Sequence, residues 1–428
     1  MASKYSYYFI ISLLFLGFIC PDARAEEALT WQGCIKEAAK NHPDLIAAVE
    51  IVKQSEASKK ITASTLFPQV NAELNASTAK TPSGGGSSSQ TADSYSYGVT
   101  GSQLLFDAGK TINNVRAAGE NIKASQQGFR FTSSQVRLRL RTAFANLLSA
   151  QELIHVTEEI VKIRKDNLEL IMLRYLSGLE HKGALLTAEA NLTAANLQVS
   201  QAKRDVELAQ RQLTKEMGRK EFVPMSVKGD FAVGNTVNEK PDLEALAKNH
   251  PSLLQLTAEK NAAEFELKST YANFFPTLSG QAGAGKTDSH WAPQGDQWNL
   301  GLALSVPIFE GGLRFAQVSQ AKAVLNQLQA NERSARDGII VNLEQTWTAL
   351  QNAIENIGVQ NKQLAAAEER SKIAEAEFST GFITYDNWTI IEDNLVSAKT
   401  AYLNAQANTL LAEANWIQAK GETLEYAQ

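Results

Sequence analysis

Two stretches of the chain alternate apolar and polar residues with a period of two, which is the pattern of β-strands with two different faces. They run from Pro68 to Phe106 and from Pro276 to Phe309, and each is interrupted by a polar, glycine-containing loop, at 81–89 and at 286–296. Each stretch therefore predicts one hairpin of two strands. A strand length of about 10 residues with this alternation is typical of a membrane-spanning β-barrel.

Aromatic residues lie at both ends of the predicted strands. The set at the ends that join helices is Phe67, Phe106, Phe275 and Phe309, and the set toward the loops is Tyr95, Tyr97, Trp291 and Trp298. Two aromatic girdles are expected of strands that cross a bilayer. The alternative interpretation is a hairpin of a soluble protein with ordinary β-propensity.

Most of the remaining chain places apolar residues in steps of three and four. One such stripe covers 136–175 and returns through a glycine turn as 185–213, and a second pair covers 339–378 and 388–416. This period of about 3.5 predicts coiled-coil packing. Each half of the chain therefore contributes one antiparallel helical hairpin. Many stripe positions are Ala, Ser, Thr or Gln, which suits helices with neighbours on both flanks and water on another face.

The chain carries an internal sequence repeat. The segment 40–45 (KNHPDL) returns at 248–253 (KNHPSL), a shift of 208 positions, and beyond the strands the shift is 203. We expect two structural repeats, at 26–229 and 242–428, joined by a linker at 230–241. In each repeat an Asn-His-Pro segment lies inside or at the start of the opening helix, where proline is tolerated only in a first turn, and a Phe-Pro pair ends that helix.

The lengths of these helices favour one architecture. The long helix from Thr111 to Leu176 should span about 100 Å, and the opening and returning helices about 55–60 Å each. We therefore expect a long helix beside two stacked shorter ones, in both repeats. Four strands per chain are too few to close a membrane barrel, for which about eight is the minimum. Since an open edge is not tolerated in lipid, the strands should pair between chains.

Residues 1–25 are predicted to be a signal peptide. Lys4 precedes a short apolar run at 9–19, and Ala23-Arg24-Ala25 fits the small-x-small cleavage rule. Lipidation at Cys20 is the alternative. The exported chain keeps one cysteine, Cys34, so no disulfide framework is expected. The net charge of −5 without a basic block argues against nucleic acid as a partner.

This layout resembles the TolC-like outer-membrane efflux protein family across the whole mature chain. The resemblance is carried by the segment 306–312 (VPIFEGG) and its weaker echo 104–109 (LLFDAG), by the Asn-His-Pro and Phe-Pro pairs, and by the aromatic-x-x-Gly turns at 175–178 and 378–381. The joint residues are Pro307, Phe309, Gly311, Gly312, Phe106 and Gly109.

The resemblance implies a fold that is mainly α with a membrane β-barrel. Long antiparallel coiled-coil helices would form a periplasmic α-barrel, and three chains would share a twelve-stranded barrel. The protein would lie in the outer membrane of a Gram-negative bacterium, with most of the chain in the periplasm. It would serve as the duct of a tripartite efflux or type I secretion system. The implied partners are two further copies, a periplasmic adaptor and, through it, an inner-membrane pump, besides outer-membrane lipid.

The resemblance also suggests where the duct closes and docks. Relatives carry acidic rings near the second turn, where this chain has Tyr385, Asp386 and the uncharged Asn387, while Ile383 and Ala184 stand where relatives place a basic residue and its acid. Glu180, His181 and Lys182 beside the first turn are the substitute gate candidates. The candidate adaptor contacts at the two turns are Ser177, Gly178, Leu179, Thr380, Gly381 and Phe382.

Nothing in the sequence predicts catalysis. No Ser-His-Asp, Cys-His or paired-carboxylate constellation stands out, and no glycine-rich loop opens a phosphate site. His42 and His250 are repeat-related helix starts, and His155 and His181 lack partners at metal-ligand spacing, so no metal site and no cofactor are expected. A passive outer-membrane porin and a soluble periplasmic coiled-coil scaffold remain as alternative functions.

Overall fold

The computed structural model describes residues 28–82, 89–231 and 240–424. The predicted signal peptide therefore lies outside the described residues, as does most of the predicted linker. In the first repeat the helices and strands are α1 (Trp31–Asn41), α2 (Pro43–Ser64), β1 (Gln69–Pro82), β2 (Ser89–Phe106), α3 (Lys110–Leu176) and α4 (Lys182–Glu216). In the second they are α5 (Leu243–Lys248), α6 (Pro251–Ala272), β3 (Thr277–Asp288), β4 (Gly295–Ser305), α7 (Leu313–Thr380) and α8 (Tyr385–Ala419).

The opening helix is broken in both repeats, so the prediction of one continuous helix of about 55–60 Å was wrong. Pro43 starts α2 and holds the preceding His42 in an extended conformation, with ψ of 123°. The ring Nδ1 of His42 accepts a hydrogen bond from the backbone N–H of Asp44 at 3.1 Å. His250 does the same for Ser252 at 3.2 Å. Both histidines are therefore N-terminal caps of helices.

The long helices have the predicted length and neighbours. Helix α3 has 67 residues and α7 has 68, so each spans about 100 Å. Helices α2 and α4 both pack along α3, whereas α6 and α8 pack against both α3 and α7. The lateral order is therefore α2 with α4, then α3, then α6 with α8, then α7. Among the described residues, no helix is both long and apolar enough to cross a membrane.

The heptad stripes form the helix interfaces. Val136, Leu140, Ala143 and Leu147 are buried at the middle of α3, where α1 and the end of α4 complete a core. A matching core lies at the middle of α7, around Leu343 and Leu350 with Trp347 against Trp416. A third cluster lies at the turn ends of the hairpins. The stripes were thus predicted correctly by their period alone.

Three arginines at alternate positions hold the core of α3 to the ends of other helices. Arg137 donates to Glu422 at 2.9 Å, Arg139 to Glu216 at 3.1 Å and Arg141 to Glu413 at 3.3 Å. Burial opposes the charge of Glu216, but hydrogen bonds from Lys215, Arg139 and His42 outweigh it and hold the pKa of this carboxyl below its usual range. The arginines thus fix where the short helices meet the long one.

The strands form one antiparallel sheet in the order β1-β2-β3-β4. The predicted length of about 10 residues is close to the 12 residues of β3 and the 11 of β4, but it was too short for β1, with 14 residues, and for β2, with 18. The predicted loop bounds were also too wide, since backbone pairing reaches Pro82 with Ser89 and Thr287 with Gly295. Toward the loops the alternation of apolar and polar side chains ends before the backbone pairing of the strands ends. This is possible because the hydrogen bonds between strands join backbone groups and do not require apolar side chains.

Candidate functional site

The sheet has one apolar face and one polar face. A cross-strand row on the apolar face consists of Ala72, Val99, Ala284 and Trp298, and the adjacent row on the polar face of Asn71, Thr100, Gly283 and Asn299. On the apolar face the side chain of Leu300 is 79% exposed. A sheet that exposes apolar side chains on one face and polar ones on the other can act as a wall between lipid and water.

Both edges of this sheet are open within the chain. Strand β1 pairs with β2 alone and β4 pairs with β3 alone, so in the described chain their outer backbone groups face no further strand. The layer of helices is open on the same two sides. Helices α2 and α4 form one outer edge of this layer, and α7 forms the other. Strand edges inside lipid need partners for their N–H and C=O groups. The open sides of the sheet and of the helices are therefore continuous.

The joints between strands and long helices are left-handed turns. Gly109 has a φ of +80° and Ala108 of +54°, and Gly311 and Gly312 have φ values of +59° and +85°. These values favour glycine, which explains why the motif carries it. In the first joint, Asp107 accepts hydrogen bonds from the N–H groups of Gly109 and Thr111. The turns therefore start α3 and α7 without a break after the strands.

Large apolar side chains project around these joints. Ile308, just after Pro307, is 94% exposed, and Phe309 is 87% exposed. Phe106 in the first joint is also exposed, as are Phe67 and Phe275 where the opening helices end. At the opposite end of the sheet, Trp291 and Trp298 are exposed. The aromatic residues are thus arranged in two belts on the sheet, at the levels that the sequence predicts.

The two hairpin turns have the same backbone geometry and both expose apolar residues. Gly178 and Gly381 have φ values of +74° and +83°. The N–H of Leu179 reaches back to the Arg174 carbonyl, and that of Phe382 to the Glu377 carbonyl, which is the Schellman arrangement. Phe382 is 83% exposed, and Leu179 is exposed as well, beside the exposed Ser177 and Thr380. All six candidate contact residues therefore lie on the outer surface of the turns.

The six gate candidates fall into two groups. Asp386, Asn387 and Lys182 are exposed in the first turns of α8 and α4. The others are engaged within the chain. His181 is exposed, but its ring caps α4 by accepting a hydrogen bond from the N–H of Ala184. Glu180 lies 3.6 Å from the Nε of Arg174, and Tyr385 is buried.

An aromatic cluster underlies the second turn. The rings of Phe378 and Trp388 stack with their centroids 4.5 Å apart, and Tyr385 lies edge-on beside Trp388. Arg174 from the first hairpin lies over the Phe378 ring, with 4.6 Å from the guanidinium carbon to the ring centroid, and its Nη1 donates to the Phe378 carbonyl at 3.2 Å. The cluster and Arg174 thus connect the two hairpins of one chain.

Sequence reasoning missed Arg174 and gave Arg164 no role. Arg164 stands at a stripe position of α3, where it is buried and donates to Asp393 of α8 at 2.5 Å. A charged residue on an otherwise apolar stripe was the one available signal. In the described ranges, no group of three or more His, Cys, Asp or Glu residues is arranged to hold a metal ion.

The sequence profile of the family described as "Outer membrane efflux protein" matches residues 34–219 and 243–422. This chain belongs to that family. Its members are outer-membrane channels of efflux and secretion systems and not enzymes. The protein is accordingly located in the outer membrane, with a large helical part in the periplasm.

Similar proteins cover nearly the whole chain. "Outer membrane efflux protein BepC" of Brucella suis is 23% identical over 403 residues, which are 93% of this chain and 86% of BepC. A crystal structure of CusC has a TM-score of 0.82 at 20% identity, with 91% of each chain covered. The MtrE outer membrane channel of Neisseria gonorrhoeae, solved in its open state, has a TM-score of 0.80 at 19% identity and covers 92% of this chain and 89% of MtrE. These structures share the fold.

Proposed function

We propose that three copies of this chain form one duct that carries cargo from an inner-membrane pump, through a periplasmic adaptor, to the outside of the cell. The observation that supports this most is the two-faced sheet with both edges open, continuous with helices that are open on the same two sides. A single chain would leave those strand edges unpaired in lipid. Three chains with four strands each would close a twelve-stranded barrel, which is within the range of membrane barrels.

The division into repeats at 26–229 and 242–428, joined by a linker at 230–241, belongs to the same proposal. Each repeat would supply one β-hairpin and one helical hairpin, so that three chains place six similar units around an axis. Its support is the constant shift of 203 positions between α3 and α7 and between α4 and α8. Such units close a ring when α7 of one copy meets α2 and α4 of the next.

Chemical crosslinking of the detergent-extracted protein tests the assembly. We expect a covalent trimer, and single-channel recordings of the same sample in planar bilayers should give long closed periods with brief openings. A monomer would overturn the proposal. A constitutively open, large conductance would favour the passive porin, and release of the protein from membranes by urea would favour the periplasmic scaffold.

The turns are proposed as the adaptor contact, through Ser177, Gly178, Leu179, Thr380, Gly381 and Phe382. Exposed apolar residues at a turn suggest a protein partner. In a strain that lacks its own duct, Phe382→Asp should abolish export of the cargo while the trimer still forms. Ser379→Asp is the matched control, because it adds the same charge near the turn without removing apolar surface. Equal export by both variants would refute the contact.

The gate is proposed at the entrance formed by the hairpin ends. Asp386, Asn387, Lys182 and His181 have exposed side chains that can face the channel axis, and Glu180 and Tyr385 support them. The cargo is proposed to be set by the pump, because relatives with this fold bear names as different as "Cation efflux system protein CusC" and "Pyoverdine export outer membrane protein OpmQ".

A further inference from the structure

Three basic residues lie at one level of the helices, just beyond the end of the sheet where strands and helices join. Lys60 and Lys268 each stand seven positions before the phenylalanine of a Phe-Pro pair, and Arg116 stands seven positions after Gly109. Seven residues of helix span roughly 10 Å. The three cations are therefore at about the same distance from the exposed aromatic residues of the joints.

Arg116 lies on the outer side of the layer of helices. It precedes Phe144 by 28 positions, which are four heptads, so the two residues share one face of α3. On that face Phe144 packs against Trp31 of α1 and beside Gly229, which belong to a second layer. In the proposed duct the second layer must lie outside, because inside the ring it would obstruct the channel.

The ring of Phe265 on α6 joins Arg116 to a second cation. The guanidinium carbon of Arg116 lies 6.0 Å from the centroid of this ring, and the Nζ of Lys268 lies 5.0 Å from it. Lys268 is therefore on the same outer face as Arg116. Lys60 is the equivalent of Lys268 in the first repeat, by the shift of 208 positions, and the repeat places it on the outside of α2.

These three charges are not neutralised by the protein. In the part of the chain that the structure describes, Lys60, Arg116 and Lys268 make no ion pair with a carboxylate. Glu56 and Glu264 stand four positions before the two lysines, one turn farther from the sheet. Two cations held at one aromatic ring without a carboxylate repel each other. This level of the outer surface therefore favours an anion from outside the chain.

We infer that Lys60, Arg116 and Lys268 bind the phosphate groups of anionic phospholipids in the periplasmic leaflet of the outer membrane. This inference rests on the proposed duct, which defines the outer face. The exposed rings of Phe67 and Phe275 bring the hydrocarbon region to the level of the joints. The headgroup layer beyond it is about 5–8 Å thick. Lysine and arginine side chains reach into this layer by snorkelling, with their apolar stems along the helices.

Native mass spectrometry of the delipidated full-length protein in detergent tests the inference. Anionic phosphatidylglycerol should bind to the trimer more tightly than zwitterionic phosphatidylethanolamine. Lys60→Gln combined with Arg116→Gln and Lys268→Gln should weaken phosphatidylglycerol binding by about 100-fold, because each cation beside an anionic membrane surface contributes about fivefold in affinity.

A second triple variant is the matched control. Lys162→Gln combined with Lys165→Gln and Lys362→Gln removes three exposed lysines that lie far from the sheet. This control should bind phosphatidylglycerol as the parent does. Lys60→Arg combined with Lys268→Arg keeps the charge and should also bind as the parent does.

Three results would overturn the inference. They are equal phosphatidylglycerol affinity of the parent and the first triple variant, equal affinity of the parent for both lipids, and displacement of the lipid by inorganic phosphate at the same concentration. If the first triple variant does not assemble, the parent alone decides. Its binding of phosphatidylglycerol should weaken as sodium chloride is raised, and binding that ignores salt would refute an ionic contact.

The same spectra separate this inference from the proposed function, because they report the mass of the complex. A monomer would contradict the duct. A trimer without preference for the anionic lipid would contradict the lipid site alone.

Discussion

Replacing Leu300 by arginine places a charge on the apolar face of the sheet at mid-strand. Leu300 is the central residue of β4, and it is 79% exposed in the isolated chain. If this face contacts the hydrocarbon core, its depth is close to the middle of the bilayer. An arginine at the midplane of a membrane barrel costs about 2–4 kcal/mol, so three copies would lose roughly three times that amount. This loss is comparable with the whole stability of an ordinary domain, about 5–15 kcal/mol.

The neighbouring residue provides the control. Asn299 lies on the opposite face of the same strand, beside Gly283 of β3. Asn299→Arg therefore adds the same side chain at the same depth, but toward the polar interior. Since surface substitutions usually change stability by about 0.5 kcal/mol or less, this variant should assemble like the parent.

The measurement is the yield of trimer in outer-membrane fractions, together with urea unfolding of the protein reconstituted in vesicles. Leu300→Arg should lose most of the trimer and unfold at a lower urea concentration, whereas Asn299→Arg should do neither. Equal behaviour of the two variants, or a greater loss with Asn299→Arg, would show that the apolar face does not contact lipid.

Three further substitutions test the helical part by thermal unfolding followed by circular dichroism. Trp388→Ala should destabilise the hairpin ends by about 3–5 kcal/mol, because it empties a site that is only 2% exposed; an unchanged melting temperature would contradict the stacked cluster. Gly381→Ala should lower the free energy of unfolding by about 1 kcal/mol, because Gly381 has a φ of +83°. The control, Gly358→Ala within α7, should raise it by about 0.5–1 kcal/mol. Stabilisation by both substitutions would contradict the turn geometry. Because the pKa of Glu216 is lowered in the folded protein, its contribution to the free energy of unfolding is complete above the ordinary pKa of 4.5. This contribution is lost as the pH falls through the lower pKa of the folded state. Glu216→Gln should therefore be less stable than the parent at neutral pH and should lose less stability on acidification. Parallel profiles of melting temperature against pH for variant and parent would argue against this role.

The periodicity of the sequence predicted the large features of the fold because each depends on local pattern. Alternation gave the four strands, and the 3-4 spacing gave the buried stripes that include Val136 and Leu343. The shift of 203 positions pairs equivalent residues of the two helical hairpins, since α3 and α7 end in equivalent glycine turns. Breaks in the opening helices were missed because a proline in a first turn can start a new helix or continue an apparent one, and only the extended His42 distinguishes the two.

The candidate site was predictable only in its exposed parts. The turns and the joints were recognisable because glycine at a left-handed position has a local cause. The partners of Arg174 and Arg164 in the second hairpin, Phe378 and Asp393, lie more than 200 residues away along the chain. A stripe shows which face of a helix is buried without showing what it meets. Tyr385 illustrates the limit, since its position beside Asp386 suggested the channel axis, whereas its ring packs against Trp388.

Differences between the two repeats are therefore more informative than their similarity. The stripe of α7 carries alanine, Ala367, at the position where the stripe of α3 carries Arg164. A buried ion pair is a poor source of stability compared with apolar packing, because desolvation offsets most of the attraction. The pair between Arg164 and Asp393 is better explained by specificity, because it fixes the position of α8 along α3.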